Sequence, residues 1–201
     1  MAENLYMNSI CVFCGSSMGN KPEYRQAAVE LGRVLLERKI RLVYGGANVG
    51  LMQVLADTVL KGGGEVIGIM PQLLIDKEVA HSGLTKMITV SSMSERKSLM
   101  VELSDAFIAM PGGFGTLDEL AEVITYNQLR LTDKPIGILN NAGFFNPLLS
   151  FFDHITEEGF LRHEHRHNLV IDDNIQGLIL KMMDYKPVEM DKWLEDIKSQ
   201  L

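Results

Sequence analysis

The sequence has little positive charge, little cysteine and no long apolar run, and each shortage excludes a class of protein. Its 201 residues contain 19 Lys and Arg against 26 Asp and Glu, for a formal net charge of −7. No basic stripe is left to neutralise a nucleic-acid backbone, so we expect no polymeric nucleic-acid partner, although backbone N–H groups can still bind a small anion. No apolar run approaches the ~20 residues of a membrane-spanning helix, and we identify no export signal before the first apolar run. We therefore expect a cytoplasmic protein without a membrane partner.

The two cysteines, Cys11 and Cys14, form a C-x-x-C pattern. Such spacing can belong to a redox pair or to half of a zinc site. Zinc would need two more ligands, and the other candidates, His163, His165 and His167, lie in a charged stretch typical of a solvated loop. Because side chains three apart on a strand point to opposite faces, the two cysteines are predicted to be small buried core residues. No metal and no cofactor is expected.

Apolar runs rich in β-branched residues alternate with stretches of helical period. With 46% hydrophobic residues, this pattern predicts one α/β domain over 1–201, with a core over about 9–183 and a C-terminal helical tail over 184–201. We expect a Rossmann-like, doubly wound, mainly parallel sheet with helices on both faces. The predicted strands are 10–14, 41–44, 65–70, 87–90, 106–110, 136–139 and 169–171. The predicted helices are one that starts at Pro22 and others near 51–60, 94–103, 117–129, 147–158 and 175–183.

Glycines and hydroxyls follow several of these strands, in the loops 15–17, 45–50, 91–97 and 111–116. Ligands of an open parallel sheet bind at the carboxyl ends of its strands. Glycine lets the backbone approach a ligand closely, and the helix that follows offers free N–H groups to an anion. The loop 111–116, with sequence Pro-Gly-Gly-Phe-Gly-Thr, lies directly between a strand and a helix and predicts a phosphate site. For the loop 45–50, simple chain reversal explains the glycines equally well.

Better-known nucleotide motifs are missing, because there is no G-x-x-x-x-G-K-[ST] and Asp118 stands where a G-x-G-x-x-G pattern from Gly113 needs glycine. Two roles are consistent with the position of Glu119. Thr116 and Glu119 match a capping box, in which the carboxylate folds back on the helix terminus, or else Glu119 is catalytic. The residues alone leave these two roles open.

Arg96 and Lys97 open a predicted helix, where the helix dipole disfavours cations. Their position indicates a ligand, with a surface ion pair to Glu95 or Glu102 as the alternative. Farther along the chain, Asp118, Glu122 and Thr125 share one face of the predicted helix after 111–116. Ordinary exposed helix polarity is the default explanation for that face.

Four of these elements, residues 14–17, 45–52, 93–97 and 111–119, together resemble the LOG (Lonely Guy) family of cytokinin riboside 5'-monophosphate phosphoribohydrolases. The likeness covers about residues 9–183. It implies hydrolysis of the N-glycosidic bond of a nucleoside 5'-monophosphate, a cytokinin riboside 5'-monophosphate or AMP, to the free base and ribose 5-phosphate. It also implies a homodimer. A non-catalytic nucleotide carrier or sensor on the same fold stays as the alternative.

The resemblance also implies which residues act. Arg96 and Glu119 correspond to the catalytic pair of the family. The implied substrate contacts are Glu78, Arg96, Lys97, Gly113, Phe114, Gly115, Thr116, Leu117, Asp118, Glu119 and Thr125, and further phosphate contacts are expected from Gly15, Ser16, Gly46 and Gly112. Ser94 stands where a histidine is common in the family, and Gln53 replaces a frequent glycine. The family also carries the label lysine decarboxylase, but no lysine here stands out as a Schiff-base residue for pyridoxal chemistry.

Overall fold

A parallel sheet with helices on both faces confirms the predicted fold class. The computed structural model describes residues 6–77 and 79–187. In this part of the chain the strands are β1 (Ser9–Phe13), β2 (Arg41–Tyr44), β3 (Val66–Pro71), β4 (Lys86–Val90), β5 (Ala106–Ala109), β6 (Ile136–Leu139) and β7 (Val170–Asp172). The helices are α1 (Pro22–Glu37), α2 (Gly50–Lys61), α3 (Gln72–Ile75), α4 (Met93–Glu102), α5 (Phe114–Gln128), α6 (Asn146–Glu157), α7 (His163–His167) and α8 (Ile175–Met183), with a 3-10 turn at Asn141–Gly143.

The first strand shows why helices cover both faces of the sheet. All five residues of β1 are buried, as in a sheet with two covered faces. Cys14, which follows the strand, packs in a cluster with α1, α2 and α8, whereas Cys11 packs in a second cluster with α4 and α5. The two cysteines are buried and free, and their predicted location on opposite faces is confirmed. Within the described residues, no group of three or more His, Cys, Asp or Glu side chains is arranged to hold a metal ion.

The strand order places the candidate site. The sheet runs β4-β3-β2-β1-β5-β6-β7 with every neighbouring pair parallel, so the winding direction reverses between β1 and β5. Such a reversal opens a crevice at the carboxyl ends of the two strands. There the loops after β1 and β5 touch, because the N–H of Gly15 donates to the carbonyl oxygen of Pro111 at 3.0 Å.

Some local predictions are wrong. Helix α5 begins at Phe114 rather than at 117, the histidine-rich stretch forms the short helix α7 rather than a loop, and α3 was not predicted. Helices of four or five residues carry too little periodicity to be recognised in a sequence. Of the predicted tail over 184–201, residues 184–187 are not helical and 188–201 lie outside the described residues.

No helix within 6–77 and 79–187 is both long enough and apolar enough to cross a membrane. The single-domain organisation over 1–201 stays a prediction.

Candidate active site

A cleft of about 340 Å³ opens at the carboxyl edge of the sheet. Its volume is within the range of small-ligand pockets, ~300–1,000 Å³. The loops after β1, β2 and β5 form it together with β3, the segment after α3, and helices α2, α3, α4 and α5. The lining residues are Cys14, Ser16, Gly45, Ala47, Val49, Met52, Met70, Leu74, Val79, Arg96, Gly113, Phe114, Gly115, Thr116 and Glu119.

The start of α5 forms the polar end of this cleft. Gly113 is the N-cap and receives the first intrahelical hydrogen bond, from the N–H of Leu117 at 3.1 Å. No described side chain caps this helix, so the N–H groups of residues 114–116 are available to a ligand. A side chain at Gly113 or Gly115 would meet nothing within 4 Å, which shows that the backbone here is open. A helix terminus of this kind favours an anion such as a phosphate.

The capping role considered for Glu119 is wrong. Because α5 starts at Phe114, Thr116 is the third residue of the helix and is buried, with 3% of its surface exposed. Glu119 therefore lies in the second turn, beyond the free N–H groups of the helix terminus.

Glu119 instead faces Arg96 of α4. The Nη1 atom of Arg96 lies 3.4 Å from Oε1 of Glu119, and both side chains are 11% exposed. Arg96 is also fixed from behind, since its Nε donates to the carbonyl oxygen of Ile69 at 3.0 Å. The pair thus joins two helices at the wall of the cleft.

The alternative ion pairs of Arg96 and Lys97 with Glu95 or Glu102 are wrong as well. The carboxylate of Glu95 accepts hydrogen bonds from the N–H and hydroxyl of Ser91 at 2.7 and 2.6 Å, and Ser92 caps α4 by accepting from the N–H of Glu95. Glu95 therefore stabilises the start of α4, and Arg96 lines the cleft instead of pairing with it.

Gly45 makes room for Arg96, a role that the sequence did not reveal. A Cβ atom at Gly45 would lie 1.9 Å from Nη2 of Arg96, well inside van der Waals contact. The guanidinium therefore lies against the bare backbone at the end of β2. Arg96 can reach Glu119 only because residue 45 has no side chain.

Burial changes the chemistry of Glu119. Removal from water raises its pKa from 4.5 to about 7, because the charged carboxylate is poorly solvated, while the nearby Arg96 guanidinium partly offsets this rise. Near neutral pH the group is present in both protonation states. A carboxyl group of this kind can stabilise positive charge and can also exchange a proton.

Of the expected phosphate contacts, Ser16 lines the cleft and three glycines do not. Gly15 is buried with its N–H already bonded to Pro111. Gly46 has φ of +80° and packs against Met87 and Ile69. A side chain at Gly112 would strike the Thr116 hydroxyl oxygen at 2.1 Å. These glycines let the loops beside the cleft pack closely against their neighbours.

The remaining predicted contacts lie along α5 or beside it. Lys97 binds the carboxylates of Asp118 and Glu122, and Leu117 is 37% exposed. Thr125 is exposed, and its hydroxyl donates to the carbonyl oxygen of Ala121 at 2.8 Å. Lys97, Leu117, Asp118 and Thr125 are outside the lining of the cleft. Glu78 lies outside the described residues.

Apolar side chains line much of the cleft, a surface that the sequence did not predict. Its lining residues are Ala47, Val49, Met52, Met70, Leu74 and Val79. The segment after α3 is tied to the β2–α2 loop, because the N–H of Asn48 donates to the carbonyl oxygen of Val79 at 2.8 Å and the N–H of His81 donates to that of Gly46 at 2.9 Å. The cleft therefore combines the start of α5, which suits an anion, with an apolar surface.

Comparison with known sequences places these residues in a family. A family profile described as "Possible lysine decarboxylase" matches residues 52–182. Cytokinin riboside 5'-monophosphate phosphoribohydrolase LOG1 of Arabidopsis thaliana is 49% identical over 178 residues, which cover 89% of this chain and 84% of that protein. The enzyme LOG of Oryza sativa subsp. japonica is 47% identical, with coverage of 89% and 74%.

The chain belongs to the LOG family.

Solved structures share the fold of this LOG family member at lower identity. The molybdenum cofactor binding protein from Rippkaea orientalis superimposes with a TM-score of 0.67 and 24% identity, covering 89% of this chain and 97% of that one. The Moco carrier protein from Chlamydomonas reinhardtii gives 0.66 and 20%, with coverage of 89% and 97%. At these identities the likeness establishes the architecture alone.

The description "lysine decarboxylase" does not fit the cleft of this LOG family member. A pyridoxal enzyme needs a lysine to form a Schiff base with the cofactor. None of the described residues that line the cleft is a lysine, and Lys97 has its ammonium bound to two carboxylates. The residues present do not fit pyridoxal phosphate.

The raised pKa of Glu119 predicts a pH-dependent effect on stability. Since the folded protein holds the proton more tightly than the unfolded chain, the stabilisation from protonated Glu119 is complete below about pH 4.5 and is lost as the pH rises through about 7. One pKa unit corresponds to about 1.4 kcal/mol, so the loss amounts to about 3 kcal/mol. Glu119→Gln cannot ionise, and we expect it to exceed the wild type in free energy of unfolding by up to about 3 kcal/mol at pH 8.

Urea denaturation at pH 5 and pH 8 measures this difference. The difference in free energy of unfolding between Glu119→Gln and the wild type should be small at pH 5 and large at pH 8. Glu102→Gln, which removes an exposed carboxylate at the far end of α4, should show no such widening. A gap of equal size at the two pH values would contradict burial of an ionised Glu119.

Proposed function

We propose that this LOG family member hydrolyses the N-glycosidic bond of a nucleoside 5'-monophosphate and releases the free base and ribose 5-phosphate. One observation carries the proposal: the uncapped start of α5 and the buried pair Arg96–Glu119 line the same cleft. The first suits a phosphate, and the second suits a reaction that develops positive charge beside a carboxylate. The names of the relatives LOG1 and LOG support the same reaction.

The phosphate would bind at the start of α5. Free N–H groups of Phe114, Gly115 and Thr116 point toward the cleft end of the helix axis, where the dipole also favours negative charge. Binding energy at this remote group holds the ribose in place for reaction. Ser16, on the loop after β1, lines the same cleft, and its hydroxyl would be a further phosphate contact.

Glu119 would act at the anomeric carbon. As the bond from C1' to the base nitrogen breaks, its electron pair leaves with the base and the ribose ring becomes positively charged. An ionised Glu119 stabilises that charge and removes a proton from the water whose oxygen bonds to C1'. The departing base takes up one proton and Glu119 gives up the one it gained from water, so the reaction consumes one water molecule and leaves Glu119 ionised. A carboxyl group with a pKa of about 7 is suited to such proton exchange near neutral pH.

Arg96 would hold Glu119 and offset negative charge on the departing base or the phosphate. Its guanidinium is fixed by the Ile69 carbonyl oxygen and by Gly45, so it is ordered before a substrate binds. Preorganised charge of this kind is usually a large part of enzymatic rate enhancement.

The substrate contacts implied by the family resemblance form part of the proposal. They are Glu78, Arg96, Lys97, residues 113–119 and Thr125. Support differs among them, because Arg96, Glu119 and residues 113–116 line the cleft, whereas Lys97, Leu117, Asp118 and Thr125 do not.

The apolar surface of the cleft supports a base that carries an apolar substituent. Met52, Met70 and Leu74 offer flexible side chains suited to such a group. Cytokinin riboside 5'-monophosphate, the substrate in the relatives' names, is therefore the proposed substrate, with AMP as the second nucleotide. A homodimer in the cytoplasm completes the proposal, and the free, buried thiols of Cys11 and Cys14 suit a reducing compartment.

A direct assay tests this function. The purified protein is incubated with AMP and with isopentenyladenosine monophosphate, and chromatography detects the free base and ribose 5-phosphate. We expect release from at least one nucleotide, with higher kcat/KM for the isopentenyl compound because of the apolar surface. Calorimetric titration with the same nucleotides runs in parallel. Tight binding without release from either compound would overturn the hydrolase and support the carrier or sensor.

A further inference from the structure

Lys97 lies next to Arg96 in α4, yet its ammonium is turned away from the cleft. It binds both carboxylate oxygens of Asp118, at 3.2 and 3.3 Å, and it forms an ion pair with Glu122. The side chains of Lys97 and Glu122 are 20% and 19% exposed, whereas Asp118 is 60% exposed. The Lys97–Glu122 contact is therefore the more protected one, and it joins α4 to α5 directly beside Glu119.

Glu122 is itself held in place. The hydroxyl of Tyr126, one turn farther along α5, donates to Oε1 of Glu122 at 2.8 Å, while the other oxygen faces Lys97. Both oxygens are thus engaged, which limits the carboxylate to one orientation. Ion pairs between exposed, mobile side chains contribute little, whereas ordered and partly buried pairs with further hydrogen bonds hold their geometry.

Lys97 and Glu122 line the same small gap as Glu119. A gap of about 10 Å³ between α4 and α5 is lined by Phe13, Lys97, Met100, Val101, Glu119, Glu122 and Val123. The volume is close to the least that holds one water molecule, so little solvent separates these charges. Apolar side chains make up the rest of the lining, and they strengthen the electrostatic influence of Lys97 and Glu122 on Glu119.

Charged or titratable groups face Glu119 from α4, from α5 and from the β1 side. Helix α4 contributes Arg96 and Lys97, which lower its pKa, and α5 contributes Asp118 and Glu122, which raise it. Cys11 and Cys14 approach from the β1 side, and burial raises the pKa of both thiols, so they stay uncharged near neutral pH. Three carboxylates on α5 therefore face two cations on α4, and Lys97 neutralises the two that flank Glu119.

We propose that Glu122 is a positioning residue for the nucleotide hydrolase: it holds the Lys97 ammonium against α5 and so fixes the charge balance around Glu119. The inference rests on the proposed function for its kinetic consequence. It gives Lys97 a role in the support of the catalytic carboxylate, in addition to the substrate contact that the family resemblance implies.

Two substitutions should have opposite effects. Glu122→Gln keeps the shape and still accepts the Tyr126 hydrogen bond, but it removes a negative charge and leaves Lys97 less neutralised, so Glu119 should ionise at lower pH. Lys97→Met removes the cation and leaves Asp118 and Glu122 unbalanced, so Glu119 should ionise at higher pH. Shifts of roughly half to one pH unit are expected for charges at this range in partly buried surroundings.

Carboxyl-carbon NMR of the full chain labelled with [5-¹³C]glutamate measures the ionisation of Glu119, with Glu119→Gln used to assign the signal. The control is Glu102→Gln, which removes the same charge at the exposed far end of α4. The kinetic readout is the acid limb of kcat against pH, which should follow the NMR midpoint in each variant. For Glu122→Gln, KM should stay within about twofold of the wild type, because Glu122 does not line the cleft.

Opposite shifts of the Glu119 midpoint, each larger than in the control, support the inference, and any other pattern of midpoints overturns it. If Lys97→Met fails to fold, Lys97→Gln makes the same charge change with a polar side chain. The NMR titration needs no turnover. An inactive wild type would therefore end the proposed function while the titration still decides the role of Glu122.

Discussion

Replacing Glu119 with Gln is expected to lower kcat for nucleotide hydrolysis by about 10³-fold, within the range observed when a general acid or base is removed. Gln has nearly the same shape but cannot carry the negative charge that stabilises a cationic ribose, and it cannot move a proton. Binding should persist, because the proposed phosphate contacts are backbone N–H groups at the uncapped start of α5 and not the Glu119 side chain. We expect the nucleotide Kd to stay within a few-fold of the wild type.

Steady-state release of base and calorimetric titration measure the two quantities separately. Glu102→Gln, with the same change of chemistry at an exposed position on α4, should keep wild-type kcat. A Glu119→Gln enzyme with undiminished kcat would remove Glu119 from the reaction. Loss of binding together with kcat would instead indicate that the carboxylate holds the substrate.

Gly45→Ala is expected to lower kcat/KM by about 10²-fold, of the order found when a small displacement disturbs a catalytic geometry. The added methyl group would occupy the position of Nη2 of Arg96, 1.9 Å away. The guanidinium must move, and a shift of that size breaks its contacts with the Ile69 carbonyl oxygen at 3.0 Å and with Glu119 at 3.4 Å. Because the displaced atom ends a flexible side chain, the fold itself should lose little stability.

Gly137→Ala provides a control on β6, in the other half of the sheet. Its added methyl group would meet the sulfur of the fully buried Met182 at 2.5 Å, and it lies outside the cleft lining. Thermal melting and kinetics of the two variants should separate the effects, with the larger loss of Tm in Gly137→Ala but a loss of kcat/KM in Gly45→Ala alone. Equal kinetic losses in both variants would assign the effect to general destabilisation.

The sequence predicted the framework accurately because strand signals are local. Residues 41–44 and 136–139 are predicted and observed with the same bounds, since short runs of β-branched and aliphatic residues between polar turns carry the pattern by themselves. The position of the site also followed, because parallel strands bring their carboxyl ends to one edge of a sheet. The glycines of 111–116 then pointed to an anion at the start of α5.

The start of α5 could not be predicted to the residue. Thr116 and Glu119 match a capping box, but the helix begins at Phe114 with Gly113 as its N-cap. Gly112 allows the loop to pack against Gly15, since a Cβ atom there would lie 2.9 Å from the Gly15 nitrogen. Local sequence patterns do not contain that contact between loops, which are about 100 residues apart in the chain.

The chain by itself determined the α/β class, the strands, the edge at which a nucleotide would bind and the candidates Arg96 and Glu119. Tertiary structure decided what those candidates contact and how deeply they are buried. Arg96 contacts Glu119 on another helix and is held by Gly45, which follows β2, and by Ile69 of β3. Burial brings the pKa of the Glu119 carboxyl to about 7. These properties depend on distances between segments that are far apart in sequence and on exclusion of water, and both arise only when the sheet and its helices are packed.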